Sequence, residues 1–217
     1  MSSTKVQLKK IIVGTSAWGS KISYSKSFEI LEGLLDNGID QFDTAPNYGS
    51  GYSQNIINLF SKNKKLKVNT KFGQKMNLSF KEILKRLYRF NNYSAFIKSN
   101  LNLINYTFQN KKKFWLVSNI DKNFIEIKKD LRNCFIDTFF LHSPPKNIIS
   151  DQFLQEFIKF CDLNNLTPGI SNIQDDNFID LISNYKNMVF QMPLTQYLKY
   201  EEKIENSQNK VHVNYIF

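Results

Sequence analysis

The sequence predicts an α/β fold of parallel strands: a (β/α)8 barrel of the TIM type, incomplete at its C-terminus, with about seven strands. Three observations lead there. β-type runs and longer helix-type runs alternate along the chain with no obvious linker, the pattern of a parallel sheet. No G-x-G-x-x-G follows any β-type run, so the dinucleotide fingerprint of an open, doubly wound sheet is missing. Polar, chemistry-capable residues recur at the C-terminal ends of many of these runs, where barrels assemble their sites. The alternation alone fits an open sheet or a barrel; the other two observations favour the barrel. Residues 1–217 read as one domain.

The elements follow in order. "KKIIVGTSAWG" (9–19) reads as a strand ending in a Gly-containing loop. In "SKSFEILEGLLDNG" (25–38) the apolar residues Phe28, Leu31, Leu34 and Leu35 have helical spacing, and Asn37-Gly38 is a stop signal. "IDQFDTA" (39–45) is a second strand, and "SQNIINLFSKN" (53–63) a helix with Ser53 as its expected N-cap. "LKVNTKFG" (66–73) is a third strand. Residues 78–110 are helical in pattern but irregular, and "FWLVSNI" (114–120) has strand character. "NFIEIKKDLRNC" (123–134) is amphipathic, "FIDTFFLHSPP" (135–145) is a strong strand before a double proline, and "QFLQEFIKFCDLNN" (152–165) is a helix. "TPGISNI" (167–173) is a short strand and "DDNFIDLISNYK" (175–186) a helix whose acidic start suits the helix dipole. "MVFQMPL" (188–194) and "KVHVNYIF" (210–217) are the last strands.

Composition narrows the function classes. The apolar fraction of 41% supports a proper core, and no run of about 18 apolar residues offers a membrane span. The N-terminus has basic residues before an apolar run, but Gly14 interrupts that run and a small-residue cleavage pattern is lacking, which argues against a signal peptide. Cys134 and Cys161 each stand alone, without metal-ligand spacing, and read as buried thiols of a reducing cytoplasm. The net charge of +10 raises nucleic acid as a partner, but the lysines are scattered, and "KNKKLK" (62–67) and "KKK" (111–113) read as solvated faces. The expectation is a cytoplasmic protein with a small-molecule partner, no nucleic acid, no membrane and no metal.

The strand ends carry a constellation. Gly14, Thr15 and Ser16 follow the first strand, Asp43 and Tyr48 the second, and Lys71 ends the third. His142 lies just past "FFL", Ser171 and Asn172 lie in "GISN", and Gln191 lies in "VFQMP". In a barrel all of these face one mouth. A phenol, with a pKa near 10, is a poor acid at neutral pH. A neighbouring ammonium lowers that pKa, and a carboxylate beside the lysine keeps the lysine charged and oriented. A histidine can hydrogen-bond the same substrate oxygen or relay a proton. A tyrosine so tuned can protonate an oxyanion as hydride reaches the carbonyl carbon, and hydride requires a cofactor. Each residue has a plainer reading: Asp43 as a helix cap, Ser171-Asn172 as an N-cap, Trp18 as loop packing rather than pocket lining. Lys71, on a strand that is otherwise buried, is the costliest to explain as structure. His212, in the last strand, reads as structural.

The motifs "GIDQFDTAPNYGS", "VNTKFG", "FIDTFFLHSPP" and "GISN" resemble those of the aldo-keto reductase superfamily, in the right order, from about Lys9 to the C-terminus. The resemblance implies a (β/α)8 barrel that reduces aldehydes or ketones with NADPH. It implies Tyr48 as proton donor, Asp43 and Lys71 as its tuning groups, and His142 as a group positioning the carbonyl. It further implies cofactor contacts from Gly14 and Thr15 in the first loop. Ser171, Asn172 and Gln191 would hold the nicotinamide, and Tyr215 would stack on its ring.

Two departures accompany it. The segment between Lys71 and His142 is long. A full barrel of this type takes about 250 residues, and the sequence for strand eight, the last helices and the loop that binds the adenosine 2′-phosphate is missing. The expectation is a fragment of a longer reading frame. The alternatives are a shortened protein that closes its open sheet edge by forming a homodimer, and a pseudoenzyme that keeps the scaffold without turnover, a non-catalytic binding or interaction module.

Overall fold

A computed structural model describes residues 11–62, 64–74, 117–145, 149–173, 179, 184–206 and 209–214. Its described elements are β1 (Val13–Gly14), α1 (Tyr24–Asp36), β2 (Gln41–Asp43), a 3-10 turn (Tyr48–Gly51), α2 (Tyr52–Phe60), β3 (Lys67–Phe72), α3 (Ser118–Asp130), β4 (Phe135–His142), α4 (Asp151–Leu163), β5 (Thr167–Ser171), β6 (Val189–Pro193), α5 (Leu194–Asn206) and β7 (Lys210–Asn214). All seven strands join one sheet in the order of the chain, and each pairs in parallel with the next. That is the curled, helix-covered parallel sheet of an incomplete (β/α)8 barrel.

Alternation along the strands sorts side chains between two layers. Outward, Phe42, Val68, Phe72, Phe139, Leu141, Ile170 and Phe190 join the core formed with the helices. Phe139 is its centre, with its ring centroid 5.1 Å from that of Phe124, 5.8 Å from Phe157 and 6.3 Å from Phe72. Inward, the strands present polar groups at their C-terminal ends. A shift in the β3–β4 register between Val68 and Asn69 pairs Val68 with Ile136 but Asn69 with Thr138, so one strand-four residue is passed over. This slip sets Thr138, Phe140 and His142 in phase with Asn69 and Lys71.

Helix ends follow local chemistry. Ser23 caps α1 by accepting from the Lys26 N–H at 3.2 Å, and Ser150 caps α4 by accepting from the Phe153 N–H at 3.2 Å. At the other end of α1 the chain turns at Asn37-Gly38, with Gly38 at φ 77°. Two expectations need correction, and the loop-packing reading of Trp18 holds. Ser53 does not cap α2: Gly51, at φ 86°, occupies that position, and Ser53 is buried inside the helix, bonded to the loop after β1. Residues 118–120 of "FWLVSNI" are helical, not extended. They open α3, whose buried Ile120, Phe124 and Ile127 repeat at helical spacing (residues 114–116 lie outside the described part). Trp18 is loop packing: it is 3% exposed, against Phe42 at 5.9 Å between ring centroids.

Helix α5 is an addition to the elements read from sequence, its buried Tyr200 and Ile204 lying one turn apart. The irregular stretch 78–110, the cluster 111–113, most of the helix expected over 175–186 and Tyr215 lie outside the described residues. Both cysteines are free thiols. Among the described residues no helix is long and apolar enough to cross a membrane, and no group of three or more His, Cys, Asp or Glu could hold a metal ion.

Gly169 has a specific task in the inward layer. A Cβ at that position would sit 2.5 Å from Phe140 Cδ1 and 3.0 Å from the Val189 carbonyl oxygen. Gly169→Ala is therefore expected to cost about 1–3 kcal/mol, the usual range for overpacking a filled core, read as a lower urea midpoint with an unchanged slope.

Candidate active site

The site is built on a buried ion pair. Asp43 ends β2, and the parallel register sets it beside Asn69, two residues before Lys71 on β3. Lys71 is 1% exposed and its Nζ lies 2.5 Å from both carboxylate oxygens of Asp43. The same ammonium lies 3.5 Å from the Thr44 carbonyl. Across the sheet, Gln191 Nε2 donates to Asp43 Oδ1 at 3.1 Å. Burial pulls the Lys71 pKa below the ordinary lysine value, and the Asp43 carboxylate pushes it back up.

Backbone contacts fix the carboxylate. The Asp43 carbonyl accepts from the Thr15 N–H and from Thr15 Oγ1, both at 2.9 Å. Ser53 Oγ reaches the Thr15 carbonyl at 2.9 Å and lies 2.5 Å from Thr15 Oγ1 and 3.1 Å from Thr44 Oγ1. Three buried hydroxyls thus tie the ends of β1 and β2 to α2, with every polar group used inside the protein.

Tyr48 is placed by a turn that requires glycine. Its N–H donates to the Ala45 carbonyl at 3.0 Å, and the next N–H, of Gly49, donates to the Ser16 carbonyl at 3.0 Å. Gly49 has φ 54°, and a Cβ there would lie 1.7 Å from the Trp18 carbonyl oxygen. Only glycine lets these two loops touch.

Two further side chains meet Tyr48 and Lys71. The Lys71 ammonium lies 5.1 Å from the centroid of the Tyr48 ring and 5.3 Å from that of Phe140, within cation–π range of both. His142 meets the Tyr48 ring edge-on, at 5.7 Å and 84°. Burial, then the Lys71 charge, lower the His142 pKa to about 3. The imidazole is therefore neutral at physiological pH, suited to hydrogen bonding rather than to supplying a proton.

The other residues named from sequence divide into groups. Gln191 and Ser171 sit side by side in register, and the Asn172 N–H donates to the Gln191 carbonyl at 2.8 Å. Ser171 Oγ makes a 3.4 Å contact to the Leu141 carbonyl, and Asn172, at φ 59°, donates from Nδ2 to Ser143 Oγ at 2.9 Å. Ser143 is itself left-handed, at φ 51°. Two such non-glycine residues at adjacent strand ends mark a constrained mouth. Gly14 is exposed, with no atom within 4 Å of where its Cβ would be. Thr15 is fully buried and committed to the Asp43 carbonyl.

Sequence reasoning does not single out Phe140 or the Thr44–Ser53 hydroxyls. For Phe140 a signal exists: it lies two residues before His142 and so shares its face.

Because Asp43 and Lys71 compensate each other in a dry environment, removing one charge leaves the other stranded. Lys71→Met alone and Asp43→Asn alone are each expected to cost about 3–5 kcal/mol. The double variant is expected to cost clearly less than the sum, measured by a chemical-denaturation double-mutant cycle. For His142 the folded state resists protonation, so stability is lost as pH falls from about 6.5 towards about 3. His142→Gln is expected to flatten that limb of the stability–pH curve.

The sequence profile of the Aldo/keto reductase family matches residues 10–163. No curated protein matches significantly. Among solved structures, the holo form of an aldo-keto reductase from Bacillus halodurans superposes with a TM-score of 0.68 at 16% identity, covering 94% of this chain and 60% of its own. A glycerol dehydrogenase from Gluconobacter oxydans gives 0.65 at 20% identity, covering 93% of this chain and 58% of its own. The chain thus spans about 60% of the length of these structures. At such identities they establish the shared barrel fold, while the profile covers most of the sequence. The chain belongs to the aldo/keto reductase family.

Proposed function

We propose that this barrel serves NADPH-dependent reduction of an aldehyde or ketone to an alcohol, with Tyr48 as the proton donor. The observation that carries the reading is the Lys71 ammonium, held by both oxygens of Asp43 and lying over the Tyr48 ring. A cation fixed beside a phenol favours the phenolate, which is what a tyrosine needs in order to release its proton at neutral pH. A buried ion pair adds little to stability, so stability alone does not account for a lysine and an aspartate desolvated together under a tyrosine ring.

In this reading Tyr48 donates its phenolic proton to the substrate oxygen as negative charge develops there. His142, kept neutral, contributes a hydrogen bond to the same oxygen and sets the direction from which the carbonyl enters. Lys71 stabilises the phenolate left behind, and Asp43 holds the lysine charged and in place.

The donor set at the ends of β5 and β6 suits the nicotinamide end of a cofactor. Asn172 is exposed at the mouth, Ser171 has one long contact for its hydroxyl, and Gln191 lies next to both. A nicotinamide held there would supply the hydride that no side chain can. NADPH rather than NADH rests on the family resemblance.

Tyr48→Phe is expected to lower carbonyl-dependent NADPH oxidation by about 100-fold or more, the scale of lost general acid catalysis, with cofactor binding retained. Binding is followed by tryptophan fluorescence quenching with NADPH and NADH in parallel. Full activity in that variant would remove Tyr48 from its role.

A further inference from the structure

We propose that His212 is a positioning residue of this site, an imidazole on β7 that faces the Asp43–Lys71 pair across Gln191 and Phe140 and whose charge state governs how firmly Asp43 holds Lys71. The inference deepens the carbonyl-reductase reading and rests on it for its catalytic meaning.

Register supplies the first argument. His212 pairs with Gln191, Gln191 with Ser171, and Ser171 with His142, so four polar side chains form one level across four neighbouring strands. Gln191 donates to Asp43 from that level. His212 is thus one strand from a direct ligand of the carboxylate, on the same inward face.

Packing supplies the second. Phe140, paired in register with Lys71, has its ring centroid 5.3 Å from the Lys71 ammonium and 6.0 Å from the His212 ring. One aromatic side chain therefore touches both the cation and the imidazole, and it can lie there because residue 169 is glycine. His212 Nδ1 is buried and has no hydrogen-bond partner among the described residues, an uncommon state for a polar atom.

Electrostatics supplies the third. The charges facing His212 are Asp43 on β2, Asp137 on β4, Lys71 on β3 and Lys210 on its own strand. Burial is the largest influence and lowers its pKa; the two aspartates oppose this, and the two lysines add to it. A proton taken up by His212 would set a second cation beside Asp43. The carboxylate would then be shared, and Lys71 would lose part of the attraction that keeps it charged in a dry site. A neutral His212 leaves Asp43 to Lys71.

The chain has only two histidines, so a pH titration of the imidazole NMR signals of 15N-histidine-labelled protein resolves both. His142→Gln assigns the pair by removing one. Asp43→Asn is expected to lower the apparent pKa of His212, because the carboxylate that raises it is gone, and Lys71→Met to raise it, because a cation that lowers it is gone. A histidine outside the field of the Asp43–Lys71 pair would respond to neither, and an unmoved His212 in both variants overturns the proposal. If Asp43→Asn fails to fold, the Lys71→Met titration alone decides. No substrate or cofactor is present in this measurement, so the titration reads His212 even in a chain that reduces no carbonyl, and the Tyr48→Phe assay tests the reductase reading independently.

Discussion

The contact between Lys71 and Asp43 is the constraint around which the interior is arranged. Two ions taken out of water cost several kcal/mol each unless they meet each other and have their remaining hydrogen-bonding capacity met. This chain meets that demand with Gln191 and the Thr44 carbonyl near the charges, and with Thr15 holding the Asp43 backbone. Apolar groups shut out water on the remaining sides. Each satisfying group comes from a different strand or strand end, so the ion pair also dictates how β1, β2, β3 and β6 sit relative to one another. A sheet slipped by one residue would turn Lys71 into the helix layer and leave Asp43 alone.

The same pair separates the chemistry of the two layers. Outside the sheet, the phenylalanines around Phe139 make an ordinary core that tolerates exchange among apolar residues of similar volume. Inside, few exchanges are neutral. Phe140 fits because Gly169 lacks a Cβ, and Tyr48 sits where it does because Gly49 lets its turn touch the Trp18 carbonyl. The inner layer is thus specified by a few close approaches, the outer one by bulk apolarity.

Much of this is legible in the sequence, and the reason is periodicity. Apolar spacing in "SKSFEILEGLLDNG" reports α1 because one stripe of it is buried, and the continuous apolar run of "FIDTFFLH" reports β4 because its C-terminal half is buried on both faces. Asp43, Lys71 and His142 are legible as positions because strand ends announce themselves by a change from apolar to polar residues, whereas Tyr48, one of ten tyrosines, is picked out only by its motif. What escapes has physical causes. Ser53 looks like a cap because serine before an apolar run usually is one, but Gly51 takes the turn and frees the hydroxyl for Thr15. "VSNI" carries β-type residues, yet Ile120, Phe124 and Ile127 bury a helical stripe, and tertiary burial outweighs local propensity. The role of Phe140 depends on Gly169, a whole strand away in sequence, a relation that no local pattern encodes.

The strictly consecutive strand order has a consequence for how the chain is made. Domains tend to fold from the N-terminus during synthesis, and here each strand finds its partner in the one that left the ribosome just before it. Asp43 and Lys71 are only 28 residues apart and can meet early, whereas the amide that completes the carboxylate's shell arrives with Gln191, 148 residues after Asp43. A nascent chain that has reached Lys71 but not β6 therefore carries a half-solvated ion pair. The hydrogen-bonding shell of Asp43 is therefore complete only once β6 is in place.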